Sequence, residues 1–96
     1  MKHVRNLKIQ LKPAKTQDFT KIVTSEVLPL LQKQPGFSNE LTLVKDNHAL
    51  AISVWDDKAS AERYNQTGYP QVIAKLAGCM EGTPVLETYE LAAATR

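Results

Sequence analysis

The stretch "HVRNLKIQL", residues 3–11, decides the fold, because its side chains alternate in character as they do along a β-strand. One face carries Arg5, Leu7, Ile9 and Leu11, and the other carries Val4, Asn6, Lys8 and Gln10. The first face is largely aliphatic and suits a core, whereas the second is unusually polar. If another surface covers Asn6, this strand lines a cavity, and the rest of the chain indicates what that surface is.

Length and charge limit the classes of protein to which the chain can belong. It has 96 residues, of which 43% are hydrophobic, and its formal net charge is +2. This length is typical of one small domain, so we expect a single domain over residues 1–96. The charges are scattered along the chain, which argues against nucleic acid as a partner. No apolar stretch approaches the length of a membrane span, so we expect no membrane partner either.

The cysteine and histidine content predicts neither a disulfide nor a metal site. Cys79 is the one cysteine, so it has no second Cys for a disulfide or a metal motif. His3 and His48 are far apart in sequence, with no Cys or carboxylate at ligand spacing near either. The first residues lack the apolar run of a signal peptide. We therefore expect a soluble protein of the cytoplasm that holds no metal.

The segment after the first strand, residues 16–34, has the spacing of an amphipathic helix. Apolar residues recur there at intervals of three and four, which places them on one stripe facing a core. Pro29 removes one backbone hydrogen bond within this helix and crowds the preceding turn. We therefore expect a kink near Ser25 or a restart at Val27.

Two further strands follow as a hairpin. The segments "NELTLV" (39–44) and "ALAISVW" (49–55) both alternate, and Asp46 and Asn47 between them tolerate the left-handed turn conformation. We expect the aliphatic face of each strand to lie under the helices, since aliphatic faces are normally buried. The residues on these aliphatic faces are Leu41, Leu43, Leu50, Ile52 and Val54. The opposite face, with Ser53 and Trp55, would then lie beside Asn6.

The last third of the chain predicts a helix in two parts and a fourth strand. Residues 58–81 have helical spacing, which Gly68 and Pro70 interrupt within "QTGYP" (66–70). The segment "VLETYEL", residues 85–91, alternates again. The order strand, helix, strand, strand, helix, strand is typical of the ferredoxin-like α+β fold, in which both helices pack on one face of a four-stranded antiparallel sheet.

In this arrangement Asn6 and Trp55 share the sheet face that the helices leave free. A large ring among small residues indicates that a partner covers this face and leaves space for a ligand beside the ring. Other roles fit the same residues, because Trp55 also suits a packed subunit interface and Asn6 a hydrated strand.

Three segments make the sequence similar to the antibiotic biosynthesis monooxygenase family. They are "QPGF" (34–37), "SVWDDKASAERY" (53–64) and "EGTPVLETYEL" (81–91). Together with the order of elements, the resemblance covers nearly the whole chain. It implies ferredoxin-like units that pair sheet to sheet, so that a homodimer through the sheet face forms a dimeric α+β barrel. Because these motifs are structural, they imply the fold and the dimer more directly than any reaction.

The resemblance implies two kinds of reaction. In the first, a quinol or other aromatic substrate is oxidised by oxygen without metal or flavin, because the deprotonated substrate itself gives an electron to oxygen. In the second, haem is degraded with an Asn on the first strand, a Trp on the third and a haem-binding His on the second helix. Residues 58–81 contain no His, which argues against haem.

We therefore expect an enzyme without a cofactor, a monooxygenase that oxidises a small aromatic or quinol in a cavity between the sheet and the helices of a homodimer. The alternative is a non-catalytic dimer that binds small molecules or acts in a stress response. The chain offers no convincing acid, base or nucleophile, and this favours the alternative.

Seven residues are candidates for the site. The candidate catalytic residues are Asn6, Trp55 and His48, and the candidate substrate-binding residues are Lys8, Ser53, Tyr64 and Tyr69. Asn6 would hydrogen-bond a substrate oxygen, Trp55 would stack on its ring, and Lys8 would stabilise an anion. His48 would act as a base if a partner or a loop brought it to the cavity, since its predicted position is an exposed turn. Each tyrosine also suits a simple packing role between helix and sheet.

Overall fold

The computed structural model describes residues 1–95 as an antiparallel sheet with helices on one of its faces. The strands are β1 (His3–Gln10), β2 (Phe37–Lys45), β3 (His48–Trp55) and β4 (Val85–Glu90). Their order in the sheet is β2-β3-β1-β4, so β1 and β3 are central and β2 and β4 form the edges. This is the ferredoxin-like α+β fold that the order of elements predicts.

The first helical region changes its geometry near the predicted kink. It consists of α1 (Thr16–Ile22), a π-helical segment (Val23–Val27) and α2 (Leu28–Gln32). Pro29 lies in the first turn of α2. The first backbone N–H groups of a helix have no acceptor within it, so a residue that lacks an N–H is tolerated there. The sequence predicts a kink near Ser25 or a restart at Val27, and the structure has a π-helical segment over both positions, with α2 beginning at Leu28.

The second helical region is also divided, as predicted. It consists of α3 (Lys58–Thr67) and α4 (Tyr69–Leu76), with a short 3₁₀ turn (Ala77–Cys79) after them. The Asp57 side chain caps α3 by accepting a hydrogen bond from the Ser60 backbone N–H at 2.7 Å. A Cβ at Gly68 would lie 2.8 Å from the Tyr64 ring, so glycine is needed where the two helices meet.

The pairing of the strands reverses the predicted faces of β2 and β3. Arg5 pairs with Ser53 and Leu7 with Ala51, so the small residues of β3, together with Trp55, face the helices. The predicted burial of the aliphatic faces of β2 and β3 is therefore wrong. The side chains that the helices contribute, among them Phe19 and Leu31 at 0% and 1% exposure, leave room only for small residues on most of β3.

We call the helix-covered side of the sheet the inner face and the other side the open face. The open face carries Val4, Asn6, Lys8, Leu41, Leu43, Leu50, Ile52, Val54, Val85, Glu87 and Tyr89. A register shift between Phe37 and Asn39 on β2 precedes the exposed leucines of that strand. Asp46 has a positive φ of 54° in the β2–β3 turn, as predicted. Within residues 1–95, no helix combines the length and hydrophobicity that crossing a bilayer requires.

Candidate active site

A row of three polar residues, Arg5, Ser53 and Glu40, crosses strands β1, β3 and β2 on the inner face. Arg5 on β1 and Glu40 on β2 both pair with Ser53 on the strand between them. Because neighbouring strands lie about 4.8 Å apart, the backbones of Arg5 and Glu40 are about 10 Å apart. The row therefore places a cation and a carboxyl group on opposite sides of one hydroxyl, beneath the helices.

Arg5 is a buried cation held by neutral groups. It is 5% exposed, and its Nη1 donates a hydrogen bond to Asn65 Oδ1 at 2.9 Å. Its guanidinium carbon lies 5.1 Å from the Tyr64 ring centroid and 4.7 Å from that of Tyr69, within cation–π range. Burial lowers the pKa of Arg5, but an arginine remains charged at physiological pH. No carboxylate among the described residues forms an ion pair with it, so its charge is available to an anion.

Trp55 is the central ring of an aromatic cluster beside this row. It is fully buried, stacks on Tyr64 with ring centroids 4.7 Å apart, and meets Phe37 edge-on at 5.4 Å. Its Nε1 donates to Ser53 Oγ at 2.9 Å. Trp55 therefore positions the Ser53 hydroxyl and the Tyr64 ring, and burial raises the pKa of Tyr64 far above its ordinary value.

Glu40 occupies the other end of the row. Its Oε2 accepts a hydrogen bond from Thr42 Oγ1 at 2.8 Å. Burial raises the pKa of Glu40, while the Thr42 hydrogen bond acts in the opposite direction. This carboxyl group is therefore easier to protonate than an ordinary surface glutamate.

A small cavity lies between these groups. It has a volume of about 30 Å³ and lies between the inner face and the helices, where Arg5, Ser53, Glu40, Tyr64 and Tyr69 form its polar lining. This volume holds about two water molecules. The arrangement can bind one oxygen atom or hydroxyl group of a ligand between the Arg5 cation and the Glu40 carboxyl group.

Two outer grooves adjoin the ends of the cavity. Beyond Glu40, a groove of about 250 Å³ lies between the first helical region and β2, and Val23 and Glu40 line both this groove and the cavity. Beyond Arg5, a second groove of about 250 Å³ lies between α3 and strands β1 and β4. Arg5 lines both that groove and the cavity. The cavity therefore shares Glu40 and Val23 with one groove and Arg5 with the other.

The structure separates the candidate residues that the sequence placed on one face. Asn6 and Lys8 lie on the open face, while Trp55 and Ser53 lie on the inner face. The shared face predicted for Asn6 and Trp55 is wrong, because Asn6 pairs with Ile52 and not with an inner-face residue of β3. The Asn6 Oδ1 atom is covered and has no hydrogen-bond partner within residues 1–95. Lys8 forms an ion pair with Glu87 at 2.6 Å on the exposed surface.

The remaining candidates fall into two groups. His48 is the first residue of β3 and is exposed, about 17 Å along the strand from Ser53. Tyr64, Tyr69 and Ser53 line the cavity. Trp55 does not line it, but stacks on Tyr64. Contact of any of these residues with a substrate stays a prediction. The described part of the chain contains no group of three or more His, Cys, Asp or Glu that could hold a metal.

Sequence reasoning missed the two charged residues of the cavity. Arg5 carried a usable signal, because it stood on the strand face that carries Leu7, Ile9 and Leu11. Glu40 carried none, since its face depends on the register of β2.

Comparison with known proteins agrees with this fold. Residues 3–76 match the family model described as antibiotic biosynthesis monooxygenase. The chain belongs to the antibiotic biosynthesis monooxygenase family. No curated protein matches the sequence.

Solved structures share the same fold at low sequence identity. A protein of unknown function from Nitrosomonas europaea is 21% identical, with a TM-score of 0.83 over 99% of this chain and 93% of that one. SnoaB, a cofactor-independent oxygenase from Streptomyces nogalater, is 21% identical, with a TM-score of 0.78 over 97% of this chain and 95% of that one.

A third structure contains a ligand. It is a monooxygenase from the gene ActVA-Orf6 of Streptomyces coelicolor in complex with Nanaomycin D. Its sequence is 15% identical to that of the present chain, and the TM-score is 0.74 over 98% of this chain and 90% of that one. At such identities the likeness concerns the fold, so activity has to be argued from the residues of this chain.

Proposed function

We propose that the protein is a cofactor-independent monooxygenase that oxidises a small aromatic or quinol substrate in the space between the inner face and the helices. The observation that carries this proposal is Arg5, a buried cation that faces a cavity and forms no ion pair within the described chain. Membership of the family and the fold shared with a cofactor-independent oxygenase support it.

A buried, uncompensated cation is suited to substrates that become anions. Burying a charge without a partner destabilises a fold, so an anion that arrives opposite Arg5 is strongly favoured. A deprotonated quinol or anthrone is such an anion, and it is electron-rich enough to give an electron to oxygen directly. Where a CH₂ group becomes C=O, one oxygen atom enters the substrate and the other leaves as water, which needs no further reductant.

The proposed substrate is larger than the cavity. An aromatic ring system cannot enter about 30 Å³, so the cavity has to widen into an adjoining groove when substrate binds. The π-helical segment borders the cavity through Val23 and Val27, and the helix break at Gly68 lies beside Tyr64 and Tyr69. Both are irregular points of the helical layer, where a shift breaks few regular hydrogen bonds.

We propose further that the open face pairs with a second copy of the chain. Leu41, Leu43, Val85 and Tyr89 are between 48% and 58% exposed on this face, which is unusual for a monomer. A covered Asn6 Oδ1 without a partner also lies there. In this dimer Asn6 and Lys8 face the partner.

We propose a cytoplasmic location, which suits the free thiol of Cys79.

The test of the catalytic proposal is oxygen consumption by wild type and the Arg5→Met variant with anthrones, dihydroxynaphthalenes and benzoquinols. We expect wild type to consume oxygen above autoxidation and Arg5→Met to lose about 10²–10³-fold in kcat/KM, as when one oxyanion-stabilising group is removed. Arg63→Met is the matched control, because Arg63 is an exposed residue of α3. Equal kcat/KM in wild type and Arg5→Met, or no uptake by wild type, would contradict the proposal.

A second candidate is a dimer that binds small molecules without turnover, because Arg5 would hold an anionic ligand in the cavity whether or not oxygen reacts with it. Trp55 stacks on the cavity-lining Tyr64, so a ligand that moves this ring alters Trp55 fluorescence. Saturable quenching by aromatic ligands without any product would support this second function.

A further inference from the structure

We propose that Glu40 is the proton acceptor for the acidic hydroxyl of the substrate, and that it releases this proton to solvent through the groove beside β2. This inference rests on the proposed function, because it assigns the base of the same site. It adds a residue and a direction of proton movement.

The position of Glu40 carries the inference. Its side chain lines the cavity and the larger groove beside β2 at once, as does Val23 of the π-helical segment. A carboxyl group at such a boundary can accept a proton from a bound molecule on one side and return it to water on the other. No other carboxylate lines the cavity among residues 1–95.

The charges around Glu40 favour transfer in this direction. Arg5 lies on the same row, two strands away, with Ser53 between them. A hydroxyl that gives its proton to Glu40 leaves its negative charge on the substrate oxygen, beside the guanidinium. Before transfer the negative charge is on Glu40, across Ser53 from Arg5 and not paired with it. After transfer the negative charge is on the substrate oxygen, closer to Arg5.

The other titratable groups that line the cavity cannot accept the proton. Arg5 has no acceptor atom, because all its nitrogens are donors or delocalised. Burial raises the pKa of Tyr64 and of Tyr69, so both phenols stay protonated at neutral pH. The groove-side neighbours of Glu40 are Thr20, Thr24 and Thr42 besides apolar residues, and none of them titrates. Glu40 is the remaining base.

The properties of the carboxyl group agree with this role. Burial raises the pKa of Glu40 toward the range in which a general base is effective, since a base with a higher pKa binds the proton more tightly. Thr42 Oγ1 donates to Oε2, which fixes the carboxyl plane. In the transfer, the substrate O–H bond breaks and an O–H bond forms on Glu40, with no change in oxidation state.

The first experiment measures proton uptake and does not depend on turnover. The probe is 4-nitro-1-naphthol, an electron-poor naphthol, supplied at a pH where it is fully ionised in solution. Binding of this anion next to Glu40 should raise the pKa of the carboxyl group. Titration calorimetry in buffers of different ionisation enthalpy should then show uptake approaching one proton per bound anion in wild type and none in Glu40→Gln.

Glu81→Gln is the matched control, because it makes the same chemical change at an exposed position outside the cavity. It should take up protons as wild type does. Equal uptake by Glu40→Gln and wild type, or no uptake by wild type, would overturn the inference. Uptake that depends on Glu40 in a protein that consumes no oxygen would refute the proposed function and leave the role of Glu40 in proton transfer standing.

The second experiment is the pH profile of kcat/KM for oxygen uptake. Glu40→Gln should lower kcat/KM about 10²-fold below the pKa of the substrate hydroxyl, and the deficit should shrink once the substrate ionises by itself. A deficit that is equal at every pH would overturn the inference, because it would indicate a structural role.

Thr42→Val provides an independent variant if Glu40→Gln does not fold. It removes the hydrogen bond that lowers the pKa of Glu40, so this pKa should rise. Since the carboxylate form is the active one, the fall of kcat/KM toward acidic pH should move to higher pH. A profile that coincides with that of wild type would overturn the inference.

Discussion

The two faces of the sheet differ in a way that ordinary packing does not predict. The inner face is covered by helices, yet it carries a guanidinium, a hydroxyl and a carboxyl group in one row. The open face is exposed, yet most of its side chains are apolar, and Leu41 and Val85 are each 58% exposed. Buried charges destabilise a monomer and exposed apolar patches promote association. Neither face is therefore arranged for the stability of an isolated chain.

The largest expected effect comes from breaking the inner face at Trp55. Trp55→Ala should lower the free energy of unfolding by about 3–5 kcal/mol, because a fully buried ring that contacts Tyr64 and Phe37 is replaced by a void. Denaturation in guanidinium chloride, followed by far-UV circular dichroism, measures this loss. Trp55→Phe should lose less, since it keeps a ring and gives up the hydrogen bond to Ser53. A loss below about 1 kcal/mol for Trp55→Ala would mean that the ring is not a core residue.

The open face should respond differently, by changing association and not folding. Leu41→Asp should raise the dissociation constant of the proposed dimer at least about 10²-fold, since a symmetric interface loses two buried leucines at about 1.5 kcal/mol or more each. Sedimentation velocity at several concentrations measures this change. Gln17→Asp, which adds the same charge at an exposed position on α1, should leave the dimer intact. A wild-type chain that is monomeric throughout would contradict the assignment of this face.

The smallest expected effect is a change in the pH dependence of stability at Glu40. Because burial raises its pKa above the ordinary value of 4.5, the folded state holds this proton more tightly than the unfolded state. The stability that results is present below pH 4.5 and is lost as pH rises through the raised pKa. Glu40→Gln should remove this loss, so its thermal midpoint relative to wild type should be higher at pH 7 than at pH 4. An equal difference at both pH values would indicate that Glu40 titrates normally.

The order of elements was predictable because its signals are local. Alternation along β1, the proline in the first helical region, the left-handed turn at Asp46 and the break at Gly68 all act within a few residues. Such signals do not depend on which other strand lies alongside. They therefore led to the correct fold without knowledge of the pairing.

The faces of β2 and β3 were not predictable in this way. Both faces of β3 are largely apolar, with alanines on one and branched residues on the other, so the usual rule that the aliphatic side is buried pointed the wrong way. The rule assumes that the opposite side meets water, which a sheet with an apolar open face does not satisfy. The sequence nevertheless indicates Ser53, Tyr64 and Tyr69 as candidate site residues, and all three line the cavity. The position of Glu40 at the cavity follows only from the register of β2.

The π-helical segment limits how the chain can change in length. A π-helical turn holds more residues than an α-helical one, so Val23–Val27 accommodates what amounts to an inserted residue. Deleting Thr24 would let this turn close as an α-helical one, so the flanking helices would keep their orientation and Phe19, now at 0% exposure, would stay in the core. Deleting a residue from the regular part of α1 would instead rotate the helix before it by about 100°, because each α-helical residue turns the chain by that angle. A one-residue alignment gap is therefore compatible with the same cavity walls at this point, and not within the regular helices beside it.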